Sequence, residues 1–396
     1  MQKTLSSQVH TYLLKTLLFH LLFLFIAFNV KSQKPLSSNA KISLLTCEPG
    51  QEIYSLFGHS AIWVYDVNNN INTVFNYGTF DYDAPNFTSN FLKGKLSYWL
   101  ATENANRFFV TYDYLKRGVT ENQVLLDSIQ MNMLYGALLE NALPENKMYL
   151  YDFFFDNCST RIGDLLENEL GTLSYEQDGN KSLRDQLHEY LEGRDWTSFG
   201  IDLIIGSKAD MNATAKQQMF LPDYLQSNLI SAKRGESTIL GNSKVVVSHQ
   251  RAKVHSFWIT PLFLFTLLLL LEVIILGSSL PIKWLTLYDF VWIAIVVLAS
   301  VILMFMWLGT DHQACSQNYN LICFNPLIIC WLFIKWLNIN HSYLTWASVL
   351  IVLPMLFLPF IKMSIQNLPS ATLLIAIITA IKIFRNGNIS DLRKWV

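Results

Sequence analysis

The spacing of hydrophobic residues divides the chain into two parts. Residues 33 to 254 alternate short apolar and polar stretches, whereas long apolar blocks with few charges fill the chain from His255 onward. A helix that crosses a bilayer requires about 20 predominantly apolar residues. Five blocks approach that length, namely 258–276, 288–308, 321–337, 344–361 and 368–384. The pattern predicts an all-α transmembrane domain of about five helices over residues 257–386.

The N-terminus has the pattern of a signal sequence. Lys3 and Lys15 precede an apolar run over residues 16–30, and a cleavage point is expected ahead of Gln33. The run is shorter than a spanning helix requires, although an uncleaved anchor is an alternative. We predict a signal peptide over residues 1–32 and export of the chain that follows.

Mixed helix and strand patterns occupy the exported part. Residues 60–66 and 71–79 are rich in β-branched and aromatic side chains, and the asparagines at 68–70 between them predict a hairpin turn. Further strands are predicted at 123–126 and 148–155, and helices at 128–143 and 159–170. These elements predict an α+β exported domain over residues 33–228, followed by a polar juxtamembrane linker over 229–256.

Charge supports this division and excludes some functions. The chain is 52% hydrophobic and only 15% charged, with a net charge of −1. Disorder and nucleic-acid binding by bulk electrostatics are therefore not expected. Lys283, Lys335, Lys382 and Arg385 fall on the predicted cytoplasmic side, together with a short tail over 387–396. We expect a multi-pass protein of the inner membrane whose first domain lies in the periplasm.

A candidate nucleophile stands where an apolar strand is predicted to run into a helix. Cys158 follows the phenylalanines at 153–155, and Asp156 or Asn157 is expected to cap the helix that comes next. The positive end of a helix dipole lowers the pKa of a thiol and favours the thiolate. A thiolate in this position is a nucleophile that requires a nearby base.

His59 is the candidate base, because it begins a predicted strand directly after Gly58. A strand histidine that faces a helix-start cysteine is the arrangement of papain-like enzymes. Here the histidine comes first in the chain, as expected for a circularly permuted papain-like domain. A hairpin centred on Asn69 pairs His59 with Thr79 and favours Tyr77 as the residue that orients the imidazole. A one-residue shift in register favours Asn76 instead.

Other interpretations of these residues stay open. His59 is also explained as a structural residue, and Cys158 as one half of a disulfide with Cys47. A zinc site formed by His59, His312 and Cys158 lacks the paired ligand spacing of known zinc motifs. We therefore expect no metal and no cofactor.

Several motifs together resemble those of Lnb-type lipoprotein N-acyltransferases. In the exported part these are TCEPG at 46–50, YSLFGHSAI at 54–62, NYGTF at 76–80 and DNCSTR at 156–161. Later matches are Gly206 with Asp210, MFLPDYL at 219–225, TDH at 310–312, NYNL at 318–321 and NPL at 325–327. Each motif alone has low specificity, whereas their combination from about residue 40 to about residue 330 is specific.

The resemblance implies a permuted NlpC-like, papain-like fold, related in layout to lecithin retinol acyltransferase. It implies that Cys158 is the nucleophile and His59 the base, with a membrane phospholipid or other lipid as acyl donor. The implied acceptor is the N-terminal amine of a diacylglyceryl lipoprotein, acylated through a Cys158 thioester. Asp311 and His312 in an outer membrane loop are expected to bind substrate, as are Ser60 and Trp63 beside His59.

Two other functions remain compatible with the sequence. A cysteine hydrolase, either a lipid esterase or a cell-wall peptidase, would use the same Cys158 and His59 but transfer the acyl group to water. A non-catalytic membrane sensor or scaffold would need neither residue in reactive form.

Overall fold

A computed structural model describes residues 15–16, 34–175, 181–249, 257–278, 281–337 and 341–387. Nearly all of the predicted signal peptide and cytoplasmic tail therefore lies outside the described residues, as does part of the predicted linker. The described residues form a sheet-containing N-terminal domain followed by a helical, strongly apolar C-terminal domain.

The N-terminal domain is built on a seven-stranded antiparallel sheet with the order β6-β4-β3-β2-β1-β5-β9. Two further short strands, β7 and β8, pair with each other. The strands are β1 (Lys41–Cys47), β2 (His59–Asp66), β3 (Ile71–Thr79), β4 (Ser97–Asn104), β5 (Val119–Val124), β6 (Met148–Leu150), β7 (Lys233–Arg234), β8 (Ser237–Thr238) and β9 (Leu240–Val247). The predicted β2–β3 hairpin is confirmed.

Eight helices accompany this sheet in the described part of the N-terminal domain. They are α1 (Phe87–Leu92), α2 (Ala105–Tyr114), α3 (Ser128–Asn141), α4 (Cys158–Leu170), α5 (Leu183–Tyr190), α6 (Asp195–Ile204), α7 (Ala215–Gln218) and α8 (Pro222–Ser231). Helices α3, α4 and α8 contribute apolar residues to the core on one face of the sheet. Helix α2 covers the other face. Burial on both faces explains why the central strands are so apolar.

Two sequence predictions in this domain are wrong in part. The strand predicted at 148–155 ends at Leu150, because Asp152 Oδ1 accepts the backbone N–H groups of Phe154 and Phe155 and turns the chain. The predicted linker is not simply polar coil, because β9 lies within it and pairs with β5. An unpaired strand edge exposes backbone N–H and C=O groups. By pairing with β5, β9 provides hydrogen-bond partners for the backbone groups along that edge of β5.

The C-terminal domain contains helices with the length and composition of membrane spans. Its helices are α9 (Pro261–Leu276), α10 (Ile282–Leu308), α11 (Leu327–Trp336), α12 (His341–Val352), α13 (Leu358–Ser364) and α14 (Ser370–Gly387). Among the described residues, two helical segments are long and apolar enough to cross a membrane, namely Lys283–Leu308 and Tyr343–Ser364. A pair of helices bent by 45°, Gln313–Ile322 with Leu327–Trp336, forms a third span or a re-entrant loop. The span predicted at 321–337 is therefore interrupted, at the Asn325-Pro326 step.

Buried charges connect three of these helices. Lys382 on α14 donates to Glu272 on α9 at 2.9 Å and to Asp289 on α10 at 3.1 Å. Arg385 pairs with the same two carboxylates. Two cations thus neutralise two anions in an apolar setting, where an unpaired charge would be costly. Glu272 is therefore a polar contact between helices.

The outer loop between α10 and α11 packs on the N-terminal domain. The N–H of Gly206 donates to Ala314 O at 2.8 Å, and Asn318 Nδ2 donates to Leu203 O at 2.7 Å. Gln366, which precedes α14, donates to Ile205 O at 3.2 Å. The segment at the end of α6, residues 203–206, is thereby joined to two parts of the membrane domain.

A fully buried arginine also binds this segment. Arg184 on α5 pairs with Asp202 at 2.7 Å and with Asp210 at 2.8 Å. Its Nη2 also donates to the carbonyls of Ile205 and Gly206. Because Arg184 presents several donors in a fixed plane, it fixes both the segment and the loop docked against it.

Replacing Gly206 by alanine should destabilise this junction. A Cβ atom at residue 206 would lie 1.9 Å from Ser316 O, a backbone atom that must then move. We expect Gly206→Ala to lower the free energy of unfolding by about 1–3 kcal/mol, the usual cost of overpacking. The measurement is the thermal unfolding midpoint of the full-length protein in detergent.

Gly200→Ala is the matched control, since nothing lies within 4 Å of its added Cβ atom. Gly200 is within α6, where alanine is the better helix former, so this variant should be neutral or slightly stabilising. Equal midpoints for the two variants would contradict the close packing inferred at residue 206.

Candidate active site

Asn157 positions Cys158 at the first turn of α4. Its side-chain oxygen accepts the backbone N–H groups of Ser159 and Thr160, while Thr160 Oγ1 accepts the N–H of Asn157. Its amide nitrogen donates to the carbonyls of Phe153 at 2.7 Å and Phe220 at 2.9 Å. Of the two caps expected from the sequence, the structure uses Asn157.

The Cys158 thiol meets the imidazole of His59. The two side chains form a hydrogen bond, and the N–H of Ser60 and the hydroxyl of Ser159 also bond the sulfur. Burial raises the pKa of Cys158, but these hydrogen bonds and the charge of His59 outweigh it and lower the pKa below its ordinary value. The thiolate therefore forms more readily here than on an ordinary cysteine.

Asn76 occupies the third position. His59 Nε2 lies 2.6 Å from Asn76 Oδ1. When Nε2 carries the proton, its N–H donates a hydrogen bond to Asn76 Oδ1, and Nδ1 is left to accept the thiol proton. Burial lowers the pKa of His59, but the negative sulfur and the hydrogen bonds to Cys158 and Asn76 raise it overall. The three side chains have the geometry of a cysteine–histidine–asparagine triad.

The predicted hairpin register was wrong by one residue, which decides between the two candidates for this position. Ile62 pairs with Phe75 and Asp66 with Ile71, so His59 is not opposite Thr79. Tyr77 consequently faces the core beside α3, where its hydroxyl accepts a hydrogen bond from Asn141 at 2.9 Å. A one-residue change in register moves every side chain of a strand to the other face.

Of two other predicted site residues, one is fully buried and the other is partly buried. Ser60 is fully buried, and its hydroxyl lies 3.0 Å from that of Ser159. Trp63 lies further along β2, where Nε1 donates to Asn72 at 2.9 Å and the ring packs edge-on against Phe109. Ser60 contributes to the site through its backbone N–H, and Trp63 belongs to the core beneath α2.

Asp311 and His312 lie where the outer loop meets the segment after α1. The N–H of Asp311 donates to Lys93 O at 2.9 Å, and the His312 ring is 3.0 Å from Phe91 O. The Asp311 carboxylate is 59% exposed and lies 3.9 Å from Lys95. Both residues join the membrane domain to the edge of the N-terminal domain.

The disulfide between Cys47 and Cys158 does not form. All five cysteines lie within the described residues, and all are free thiols. Cys47 is buried beside Tyr112, and burial raises the pKa of its thiol to about 12. Nor does any group of three or more histidine, cysteine, aspartate or glutamate side chains among the described residues have a metal-binding arrangement.

One tyrosine beside Cys158 is a site residue that the sequence patterns do not indicate. Tyr149 on β6 has a buried hydroxyl near Cys158, and the guanidinium of Arg161 lies 3.7 Å from the centre of its ring. Arg161 in turn forms a bidentate pair with Asp156. Arg161 and Asp156 belong to the DNCSTR motif, but no spacing in the sequence connects them with Tyr149.

The alkylation of Cys158 should show its lowered pKa. We expect iodoacetamide to modify Cys158 at pH values where an ordinary thiol, with a pKa of 9.0, is still protonated. His59→Ala removes the charge and hydrogen bond that lower the pKa of Cys158 and leaves the effect of burial, so the alkylation midpoint should move to higher pH. The measurement is peptide mass spectrometry of the full-length protein over a pH series.

Cys47 serves as an internal control in the same digest, since its buried thiol should remain unmodified throughout the series. An unchanged Cys158 profile in His59→Ala would refute the coupling of the thiol to the imidazole.

Comparison with known families agrees with this two-part architecture. Residues 32–190 match the Lnb N-terminal periplasmic domain, and residues 252–392 match the Lnb transmembrane domain. No curated protein and no solved structure matches the chain. The two family matches identify the protein as a membrane protein with a periplasmic domain. The chain belongs to the Lnb-type family, in which an N-terminal periplasmic domain precedes a C-terminal membrane domain.

Proposed function

We propose that this protein is a membrane-bound cysteine acyltransferase that moves a fatty acyl group to the N-terminal amine of lipoproteins. The observation that carries the proposal is the hydrogen-bonded series from Cys158 through His59 to Asn76 at a helix start. Membership of the Lnb-type family suggests lipoprotein processing. A nucleophile activated in this way performs acyl transfer through a covalent intermediate.

The reaction proceeds in two half-reactions. The Cys158 thiolate attacks the carbonyl carbon of an acyl ester, the ester C–O bond breaks, and protonated His59 gives its proton to the departing alkoxide. A thioester on Cys158 remains. The α-amine of the acceptor then attacks the thioester, His59 takes a proton from the amine, and the thiolate departs. Asn76 holds the imidazole in the orientation that serves both steps.

The contact between the domains supports a lipid substrate. Ala314 of the outer loop packs in the same apolar cluster as Phe154, four residues before the nucleophile. The loop emerges from the end of α10 at Leu308, so the periplasmic domain is held directly beside the proposed membrane surface. An acyl ester and a lipid-anchored amine at that surface meet the thiol at high effective concentration.

We further propose that the exposed Asp311, together with His312, takes part in substrate binding. Both lie at the rim where the outer loop meets the catalytic domain. A partly exposed carboxylate there attracts a cationic group, either the acceptor amine or a lipid headgroup.

We also propose that the protein resides in the inner membrane and crosses it five times. In this topology α9 and α14 are spans in addition to those recognised by length.

Cells expressing this protein should contain N-acylated lipoproteins that are missing from cells with the gene deleted. Cys158→Ala should give the deletion phenotype, because no thioester can form. His59→Ala should reduce the rate of acylation by about 10²–10⁴, as expected for loss of a general base. The measurement is mass spectrometry of lipoprotein N-terminal peptides.

Cys330→Ala is the matched control, because this thiol is exposed on α11 and distant from the triad in sequence and fold. It should retain wild-type acylation. Normal N-acylation in the Cys158→Ala strain would refute the mechanism. Release of free fatty acid without N-acylation would identify a hydrolase, and identical lipids and lipoproteins in every strain would favour a scaffold.

A further inference from the structure

Tyr149 carries a buried hydroxyl with no hydrogen-bond partner in the described part of the chain. Its side chain is 8% exposed. A buried phenol usually satisfies its O–H, because leaving it unpaired costs about 1–3 kcal/mol. An unsatisfied donor beside a nucleophile indicates that its partner arrives with the substrate.

The position of Gly78 shows where that partner would lie. A Cβ atom at residue 78 would be 3.6 Å from Cys158 Cβ, 3.8 Å from the Tyr149 hydroxyl and 3.9 Å from His59 Cε1. Glycine leaves this point empty, so the nucleophile, the base and the phenol surround one small space. A carbonyl group attacked by Cys158 must enter the space next to the sulfur.

The phenol is held rigidly in this position. Tyr149 pairs with Tyr98 on the neighbouring strand, and Arg161 lies over the face of its ring. Arg161 is fixed by two hydrogen bonds to Asp156, at 2.6 and 2.9 Å. Burial and the nearby sulfur raise the pKa of Tyr149, which therefore keeps its proton. A preorganised donor needs no rearrangement when charge develops.

We propose that the Tyr149 hydroxyl is an oxyanion-hole donor of the acyl transfer. This inference rests on the proposed function. When the thiolate attacks, a C–S bond forms and the carbonyl π pair moves to oxygen. Tyr149 donates a hydrogen bond to that oxygen without giving up its proton. When the intermediate collapses, the carbonyl re-forms, the ester C–O bond breaks, and the alkoxide receives its proton from His59.

The helix start supplies a second donor for the same oxygen. The Asn157 cap engages the N–H groups of Ser159 and Thr160 and leaves the N–H of Cys158 free of the cap. An oxyanion hole usually combines two such donors. The backbone of Cys158 and the phenol of Tyr149 would then approach the carbonyl oxygen together.

The test compares thioester formation in Tyr149→Phe and in wild-type full-length protein. A diacyl phospholipid with a radiolabelled acyl chain, presented in mixed micelles, is the probe. We expect the rate of Cys158 acylation to fall by about 10²–10³ in Tyr149→Phe, the usual effect of losing one oxyanion donor, with little change in KM. Alkylation of Cys158 by iodoacetamide should keep its wild-type pH profile, because that reaction forms no oxyanion.

Tyr98→Phe is the matched control, since Tyr98 is the directly paired tyrosine and is buried to the same extent. It should acylate at the wild-type rate. Wild-type acylation in Tyr149→Phe would overturn the assignment. A loss of acylation accompanied by an altered alkylation profile would also overturn it, because the tyrosine would then be structural. Failure of the wild-type protein itself to form a thioester would instead refute the proposed function.

Discussion

The hydrogen bonds of the Asn157 side chain hold the candidate active site together. Through its oxygen this amide caps α4, and through its nitrogen it binds two carbonyls from different segments. One of these, Phe220 O, belongs to the turn before α8, far away in the sequence. Cys158 is therefore fixed by the packing of α4, α8 and the preceding loop, since it directly follows this cap.

The reactive pair depends on a balance between burial and specific contacts. Burial by itself would raise the pKa of Cys158 and lower that of His59, which disfavours both charges. Their mutual attraction, the Ser60 N–H and the Asn76 amide reverse both shifts. Cys47 shows the opposite outcome: its contacts with Tyr112 and Arg117 lower its pKa, but burial outweighs them and raises it to about 12.

The junction with the membrane domain determines where the candidate active site lies. Arg184 fixes the segment after α6, and that segment bonds the outer loop through Gly206 and the carbonyl of Leu203. The outer loop then packs behind the phenylalanines that lead to Cys158. The site is thus held at a set distance from the membrane domain by polar contacts to backbone atoms, which tolerate little displacement.

The sequence alone determined the two-part architecture, the hairpin and the helix predicted at 159–170, which begins at Cys158 in the structure, because hydrophobic period and capping are local properties of the chain. It also predicted the approach of His59 to Cys158. It did not determine the hairpin register, because a shift of one residue in the turn reverses the two faces of a strand. The sequence therefore favoured Tyr77, whereas the observed register selects Asn76. Tyr149 and the role of β9 were decided only by tertiary structure, since strand order places residues together that no spacing connects.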